Sequence, residues 1–149
     1  MTFPYSRGSV PALLIGLVLF SCQTAYSYSV LTHEAIIDST WDSGIKPLLL
    51  KRFPAATPDD LTAAHAYAYG GSIIQDLGYY PFGSAFYSDL THYVRSGDFI
   101  ANMIRESQDL NEYAFALGAL AHFATDNNGH RMATNVSMAE LAATPGSSR

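Results

Sequence analysis

The stretch YAFALGALAHF, residues 113–123, decides the fold class of this chain. Apart from His122, small, apolar and aromatic residues fill it, as in a helix that lies within a protein core. Asp109 and Glu112 precede it three residues apart, which is the pattern of a capping box at a helix start. The run Asn127-Asn128-Gly129 follows it and favours a helix end. The sequence therefore predicts a long helix in this region.

The rest of the chain from Tyr28 onward also carries helix signals, with turns between the segments. The Gly70-Gly71 pair lies inside one of them and lets another backbone come close. The predicted helices are Thr32 to about Trp41 with a stop at Ser43-Gly44, a short segment Pro47–Phe53, Pro58 to about Gln75 with Thr57 as its cap, Ser84 to about Val94, Phe99 to about Glu106, and the long helix. No stretch shows the clean alternation of a strand. The predicted fold class is all-α, a multi-helix bundle.

The composition excludes several classes of protein. The chain has 149 residues, of which 48% are hydrophobic and 14% charged, so its bulk is a folded domain and not a disordered segment. The length allows one domain. A net charge of −5 argues against a protein that holds nucleic acid through a basic surface. The single Cys excludes an intramolecular disulfide and a four-Cys metal site.

Residues 1–27 are predicted to be a secretory signal peptide. Arg7 is the only charged residue among them. The run Ala12–Phe20 is apolar but far shorter than the stretch of about twenty residues that spans a membrane. A short basic start followed by an apolar middle is typical of an exported chain.

The tripeptide Ala25-Tyr26-Ser27 supplies small residues where a signal peptide is cleaved. The mature chain would then begin at Tyr28 and be secreted or periplasmic. The alternative is a lipoprotein anchored through Cys22, which the bulky Phe20 two positions earlier disfavours.

Candidate metal-binding side chains lie on the predicted helices. His122 and Asp126 are four residues apart, so they share one helix face about 6 Å apart along the axis. This pair alone is a weak motif, because a surface or hydrogen-bonded pair has the same spacing. For Asp76 near a helix end and His92 in mid-helix, the alternatives are a solvated carboxylate and a packing histidine. His65 lies about 16 Å from Asp76 along the helix, so we predict a structural role for it.

Taken together, the carboxylates and histidines form an oxygen and nitrogen ligand set that suits Zn²⁺. Their order along the chain resembles the bacterial zinc-dependent phospholipase C family, which is related to the fungal zinc nucleases that cut single strands. The resemblance covers about Tyr28 to His130 and rests on four segments: His33-Glu34, the run HAYAYGGSIIQDLGYYP at 65–81, Asp89-Leu-Thr-His92-Tyr, and His122-x-x-x-Asp126-Asn-Asn-Gly-His130. It implies a mostly helical bundle around a cluster of three zinc ions that hydrolyses phosphodiesters.

The resemblance also implies the ligands of the first zinc ion. These are Asp76, His92, His122 and Asp126, and Asp126 would bridge to a second ion. Asp76 and Asp126 are therefore also the predicted catalytic carboxylates, beside a zinc-activated water that attacks phosphorus in line.

The second and third zinc sites match the family less completely. His33 and the terminal amine and carbonyl of Tyr28 would hold the second ion, although the family usually begins with Trp. His130 matches a ligand of the third ion. After His130 the chain has no His, and Glu140 is its only acid, so two complete sites are expected. Either the chain is truncated or frameshifted relative to the family, or the third ion is lost.

The predicted function is that of an exported zinc-dependent phosphodiester hydrolase, phospholipase C-like, acting at a phospholipid headgroup. Tyr79, Tyr80 and Phe82 would line a pocket for that headgroup, with ordinary packing as the alternative. Its partners would be a phospholipid or another phosphodiester and, transiently, a membrane surface, with no stable nucleic-acid binding.

Two alternative functions stay open: a truncated, non-catalytic helical remnant that binds metal, and a nuclease-like activity on single strands.

In the domain organisation that we predict, residues 28–130 form the zinc-dependent domain. Residues 131–149 would be a divergent and flexible tail.

Overall fold

Helices make up nearly all of the chain that the computed structural model describes, residues 27–129. They are α1 (Ser27–Thr40), a π-helical turn (Trp41–Ile45), α2 (Lys46–Arg52), α3 (Pro58–Ser72), a 3₁₀ segment (Ile74–Tyr79), α4 (Ala85–Tyr93), α5 (Ser96–Glu106) and α6 (Leu110–Gly129). These residues contain no strand, so the all-α prediction is confirmed. None of these helices is both long and apolar enough to cross a membrane. Most of the predicted signal peptide, with Cys22, and everything from His130 onward lie outside the described residues.

The two longest described helices, α3 and α6, share the most extensive contact of the fold. A Cβ atom on Gly71 would lie 1.9 Å from the Phe115 carbonyl oxygen, and one on Gly118 would lie 2.0 Å from the Ala68 carbonyl oxygen. Both positions therefore exclude any side chain larger than hydrogen, and the two backbones approach closely. This is the close approach that the Gly70-Gly71 pair predicts.

Small and branched apolar side chains form the core between α1, α2 and the α3–α6 pair. Its eight buried members are Ile37, Trp41, Ile45, Leu49, Ala64, Ala68, Ala114 and Leu117. The alanines lie on α3 and α6, where the backbones are close, and the larger side chains come from the N-terminal part, apart from Leu117 on α6. Large residues against small ones fill the space between helices.

The N-terminal helical region differs from the prediction at both ends. The sequence predicts a start capped by Thr32, whereas α1 begins at Ser27 and contains Thr32. The predicted stop at Ser43-Gly44 is also wrong, because the chain continues through the π-helical turn into α2. Trp41 and Ile45, at the two ends of that turn, are both buried. Burial of these two side chains outweighs the local preference of Ser and Gly for a helix end.

The helix starts that rest on side-chain caps are confirmed. Thr57 Oγ1 accepts from the Asp60 amide at 3.2 Å, and Asp60 accepts from the Thr57 amide at 2.9 Å, which together form a capping box. Ser84 accepts from the Tyr87 amide at the start of α4. Asp109 accepts backbone amides at the start of α6.

Two helix starts differ in detail from the prediction. Glu112 accepts from the Gln108 amide at 2.6 Å instead of the Asp109 amide, so the box predicted there is only half formed. Helix α5 begins at Ser96, three residues before the predicted start, because the break falls on Arg95, whose backbone is left-handed with φ 54°. A residue with left-handed backbone just before a helix changes the direction of the chain, so Arg95 takes the place of the break predicted at Ser96-Gly97-Asp98.

The 3₁₀ segment and α4 pack on each other and carry two of the candidate site residues. Ser88 joins the two elements, because its Oγ accepts from the Gly78 amide at 2.9 Å and donates to the Gln75 carbonyl at 2.5 Å. Both contacts are buried. They fix the position of Asp76 relative to His92.

Candidate metal centre

The centre is built on α6, where His122 and Asp126 lie one turn apart. Their Nε2 and Oδ2 atoms are 3.2 Å apart. His122 is buried, and its Nδ1 atom lies 2.7 Å from the carbonyl oxygen of Ser72 at the end of α3. Because a carbonyl only accepts, this contact assigns the imidazole proton to Nδ1 and leaves a lone pair on Nε2.

His92 on α4 is oriented in the same way. Its Nδ1 atom lies 2.7 Å from the carbonyl oxygen of Ser88, one turn earlier on the same helix. Its Nε2 atom lies 3.2 Å from His122 Nε2 and 3.4 Å from Asp126 Oδ2. Two imidazole lone pairs at this distance repel each other unless a cation, either a proton or a metal ion, lies between them.

Asp76 and His33 complete the cluster from two further elements. Asp76 Oδ1, on the 3₁₀ segment, lies 3.4 Å from His92 Nε2. His33, on α1, is buried, and its ring stacks on that of His122 with centroids 4.1 Å apart. Its Nε2 atom lies 3.6 Å from Asp126 Oδ1. The two oxygens of Asp126 therefore face different sides of the cluster, Oδ2 toward His92 and His122 and Oδ1 toward His33.

The spacing of these donor atoms fits Zn²⁺. Zinc binds nitrogen and oxygen at about 2.0–2.1 Å in a tetrahedron, so two donors on one ion are about 3.3 Å apart. The donor pairs that involve Nε2 of His92 or His122 are 3.2–3.4 Å apart. Two groups of three side chains have their ligand atoms within 4.8 Å of one another: His33, Asp76 and His122, and His92, His122 and Asp126. Imidazole and carboxylate are donors that zinc prefers, so the residues present fit the metal.

The pKa values of His92 and Asp126 indicate that the metal-free centre holds a proton. Hydrogen bonds that His92 donates to Asp126 and Asp76 raise its pKa to about 10. Burial disfavours the charged form of Asp126, but the neighbouring imidazoles of His122 and His92 outweigh it and hold the pKa of this carboxyl well below its usual range. Without metal, the centre therefore keeps a proton between two carboxylates and an imidazole pair, and a metal cation would take the place of that proton.

The tyrosines that the sequence assigns to a headgroup pocket lie beside this cluster. The ring centroid of Tyr79 is 5.9 Å from that of His92. Tyr80 is half-buried, and its pKa is raised by burial and by the charges of Asp76 and Glu34. Phe82, the third predicted residue, is fully exposed.

Two predicted ligands are not tested by this geometry. Tyr28 lies in the first turn of α1, about one and a half turns before His33. Its part as a terminal amine ligand depends on cleavage after Ser27 and stays a prediction. His130 lies outside the described residues, so the third zinc site stays a prediction as well.

His65 lies apart from the cluster and contacts another set of residues. Its ring stacks on Trp41 with centroids 3.9 Å apart and on Tyr69 at 4.6 Å. Its Nε2 atom lies 3.3 Å from Asp38 Oδ1, and the Tyr69 hydroxyl donates to the same carboxylate oxygen. These contacts join α1 to α3, in agreement with the structural role predicted for His65.

The sequence reasoning missed the groups that orient the histidines. These groups are the backbone carbonyls of Ser72 and Ser88, which no side-chain pattern reveals. A histidine in mid-helix always has a backbone carbonyl four residues before it, as His92 has that of Ser88, whereas Ser72 lies on another helix than His122. Gln75 was missed too. It is fully buried, and its Nε2 donates to the Ala119 carbonyl at 3.2 Å, while its Oε1 has no hydrogen-bond partner among residues 27–129.

A comparison with protein families matches residues 32–147 to the zinc-dependent phospholipase C family. The chain belongs to this family. The resemblance read from the sequence is thereby confirmed, and the zinc-dependent phospholipase C match contains all five clustered side chains. It also extends beyond His130 into the segment predicted to be a divergent tail. Searches among curated proteins and among solved structures gave no match.

Proposed function

We propose that this chain is an exported zinc-dependent phospholipase C that hydrolyses the phosphodiester of a phospholipid headgroup. One observation carries the proposal. Two imidazole Nε2 atoms and two carboxylates converge from three elements at 3.2–3.4 Å, the separation of donors on a single zinc ion. The family match over residues 32–147 supports the reaction class.

Two zinc ions account for the donor set. Asp76, His92, His122 and Asp126 Oδ2 would hold the first ion. Asp126 Oδ1 and His33 would hold the second, together with the terminal amine of Tyr28 once the leader is removed. When bound, zinc supplies Lewis acidity that polarises a phosphoryl oxygen and lowers the pKa of a water.

The residues of the chain prepare this chemistry. The carbonyls of Ser72 and Ser88 hold the Nδ1 protons of His122 and His92, which keeps both Nε2 lone pairs directed at the metal. Both imidazoles therefore act as neutral ligands of fixed orientation. Burial of His122 excludes bulk water from the floor of the centre and strengthens its electrostatic interactions.

We assign catalysis to Asp76 and Asp126. Asp126 positions both metal sites, because its two oxygens face two sides of the cluster. Asp76 lies on the short 3₁₀ segment beside Tyr79 and Tyr80, and it is the carboxylate we assign to take up the proton of the attacking water. The aromatic faces of the two tyrosines, with Phe82 on the same loop, suit a cationic headgroup of the choline type.

The test compares hydrolysis by two matched aspartate variants. The purified chain is loaded with zinc and given p-nitrophenylphosphorylcholine, with single-stranded DNA as the competing substrate. Asp126→Asn should lose bound zinc and at least about a hundredfold in rate, because both metal sites and the charge that they supply are lost. Asp42→Asn is the control, since Asp42 is exposed and forms an ion pair with Lys46, one turn away on the helical surface.

The outcomes separate the alternatives. Turnover of the choline ester that falls with Asp126→Asn and persists in Asp42→Asn supports the proposal. Zinc binding without turnover of either substrate would contradict it and leave a metal-binding remnant. Cleavage of DNA in preference to the choline ester would favour the nuclease-like activity instead.

A further inference from the structure

An unusual share of the exposed apolar surface comes from one short segment beside the metal centre. We call this set the aromatic rim: Leu77, Tyr79, Phe82, Phe86, Leu90 and Tyr93. Phe82 is fully exposed, and Phe86 and Tyr93 are 71% and 78% exposed. Single exposed apolar residues need no explanation, but six within seventeen residues form a surface of their own.

Phe82 lies at the tip of a tight turn and in a costly backbone conformation. The Gly83 amide donates to the Tyr80 carbonyl at 2.8 Å, Pro81 is the second residue of the turn, and Phe82, the third, has φ 69°. This is the geometry of a type II turn, whose third residue is usually Gly. A bulky residue there costs about 1–2 kcal/mol. A chain under no other demand would place Gly at this position, so the exposed ring requires a use.

The turn is also held firmly against the protein. A Cβ atom on Gly83 would lie 2.4 Å from the Leu77 carbonyl oxygen, and one on Gly78 would lie 2.0 Å from the Ser84 carbonyl oxygen. The backbone on both sides of Phe82 is thus packed on itself. The ring is presented by a well-packed loop, as a binding surface requires.

Helix α4 presents three members of the rim on one face. Phe86, Leu90 and Tyr93 follow the spacing that places side chains on one side of a helix. All three are exposed, whereas Ser88 and Thr91 on the opposite side are buried against the 3₁₀ segment. The exposed side of α4 is therefore the apolar one, the reverse of a surface helix in water.

The rim adjoins the metal centre through Tyr79. The Tyr79 hydroxyl donates to Asp89 Oδ1 at 3.3 Å, and its ring lies 5.9 Å from that of His92. The ring of Tyr93 also lies near His92, with centroids 5.8 Å apart. A surface that binds the rim is thus brought beside the cluster of His and Asp side chains.

Charge selects the kind of surface that fits the rim. Residues 77–94 contain one acid, Asp89, and no Lys or Arg, whereas the whole chain carries a net charge of −5. Arg95, which follows directly, is paired with Asp98. An acidic protein with this charge pattern around its apolar face has little attraction to an anionic bilayer. Exposed Tyr and Phe side chains, apolar with or without a polar tip, suit the interface of an uncharged, zwitterionic bilayer.

We infer that the aromatic rim is a docking surface for zwitterionic phospholipid bilayers, which brings headgroups to the metal centre. The inference rests on the proposed function for its choice of a lipid partner. Phe82 and Phe86 enter the interface, and Tyr79 marks the boundary between the docked surface and the centre.

The test measures binding to vesicles separately from hydrolysis. Sedimentation with phosphatidylcholine vesicles compares the parent chain with the rim variant Phe82→Asn/Phe86→Ser. Asn tolerates a positive φ, so the turn keeps its shape. The control variant Leu31→Ser/Leu48→Asn removes two apolar side chains that are also exposed but lie on α1 and α2. Every arm carries Leu14→Asp and Leu17→Asp, which puts charges into the apolar run 12–20 and removes it as a competing anchor.

The expected result is a loss of vesicle binding in the rim variant by about a hundredfold, roughly tenfold for each ring withdrawn from the interface. The control variant binds as the parent does, and the zinc content of all arms is equal. Hydrolysis of the soluble choline ester is unchanged by the single substitution Phe86→Ser, because Phe86 is a rim residue outside the proposed headgroup pocket. If that ester is not hydrolysed by any arm, the proposed function fails, while loss of vesicle binding in the rim variant still supports the docking surface.

Four results would overturn the inference. The first is a parent chain that does not bind phosphatidylcholine vesicles, and the second is a rim variant that binds them as well as the parent does. The third is binding only to vesicles that contain phosphatidylglycerol. The fourth is a sedimentation-velocity result in which the rim substitutions abolish self-association instead of vesicle binding, which would make a second copy of the chain the occupant.

Discussion

Backbone carbonyls, and not carboxylates, orient the two central histidines of this protein. The backbone carbonyls of Ser72 and Ser88 each accept a hydrogen bond from the Nδ1 atom of one imidazole at 2.7 Å. The Nε2 atoms of His92 and His122 are therefore left facing each other and the oxygens of Asp126. A second contact that fixes the tautomer is what a metal-binding histidine requires. At the residue scale, the centre is ready for a cation.

A pH dependence of zinc binding follows from this arrangement. Asp126 and Asp76 raise the pKa of His92 to about 10, and His122 also faces it, so metal-free His92 is protonated at pH 7. Zinc must displace this proton, so binding should release it and the apparent affinity should rise about tenfold per pH unit between pH 7 and 9. Calorimetry in two buffers of different ionisation enthalpy measures the released proton. An affinity that is independent of pH, with no proton released, would show that His92 is neutral or is not a ligand.

The environments of His65 and His92 predict opposite responses to substitution. His65→Gln should keep the full zinc content and lose about 0.5–1.5 kcal/mol of stability with the Trp41 stack. His92→Gln, its matched control, should lose zinc, because it removes a proposed ligand of the centre. Zinc analysis and thermal denaturation of both variants check this. Loss of zinc in the His65 variant alone would reverse the assignment.

At the scale of elements, the α3–α6 contact tolerates no added atoms. Gly118→Ala should destabilise the fold by about 1–3 kcal/mol, since its Cβ would meet the Ala68 carbonyl oxygen at 2.0 Å and push α3 away. The His122 contact with the Ser72 carbonyl spans the same two helices, so zinc affinity should fall as well. Chemical denaturation with and without zinc measures both effects.

Gly97→Ala supplies the control for this prediction. Nothing lies within 4 Å of a Cβ atom at Gly97, which is in α5. Alanine is a better helix former than glycine, so stability should stay the same or rise by up to about 1 kcal/mol. Equal effects of the two substitutions would contradict the close packing described for Gly118.

Local signals predicted those elements whose ends are fixed by local hydrogen bonds. Thr57 and Ser84 accept amides three residues ahead, and both helices start where the sequence places them. The helix end predicted at Ser43-Gly44 was wrong, because the helical chain continues there through contacts of Trp41. This side chain is buried against a helix that follows later in the chain. Propensity does not contain that contact, so no window around Gly44 could reveal it.

The candidate site, too, could be predicted from the sequence only in part. Helical spacing alone pairs His122 with Asp126, and the resemblance to a family adds His33, Asp76 and His92, which the fold brings to the same cluster. The spacing cannot show that two imidazoles meet at 3.2 Å, because that contact joins helices thirty residues apart in the chain. The side-chain sequence also cannot show which backbone carbonyls orient the histidines.

At the scale of the whole molecule, the centre connects α1, the 3₁₀ segment, α4 and α6. Its donor atoms lie on elements that are far apart in the sequence, so a bound metal stabilises the folded state and not the unfolded chain. Removal of zinc should therefore affect the entire fold.

Chelation should accordingly lower the melting temperature. Zinc at a hundred times its Kd adds about 2.7 kcal/mol to the free energy of unfolding, which for a chain of this size is a shift of about 5–10 °C. Thermal denaturation with and without EDTA measures the shift. The Asp126→Asn variant should show a much smaller one, and an equal shift in both proteins would mean that zinc acts elsewhere.

X-ray absorption at the zinc K-edge, recorded on the zinc-loaded and dialysed chain, identifies the atoms that surround the metal. We expect bound zinc with only nitrogen and oxygen neighbours at about 2.0–2.1 Å and with the outer-shell pattern of more than one imidazole. Cys22 is the single cysteine of the chain. A sulfur neighbour at about 2.3 Å, or a dialysed chain that retains no zinc, would contradict a metal centre formed by His33, Asp76, His92, His122 and Asp126.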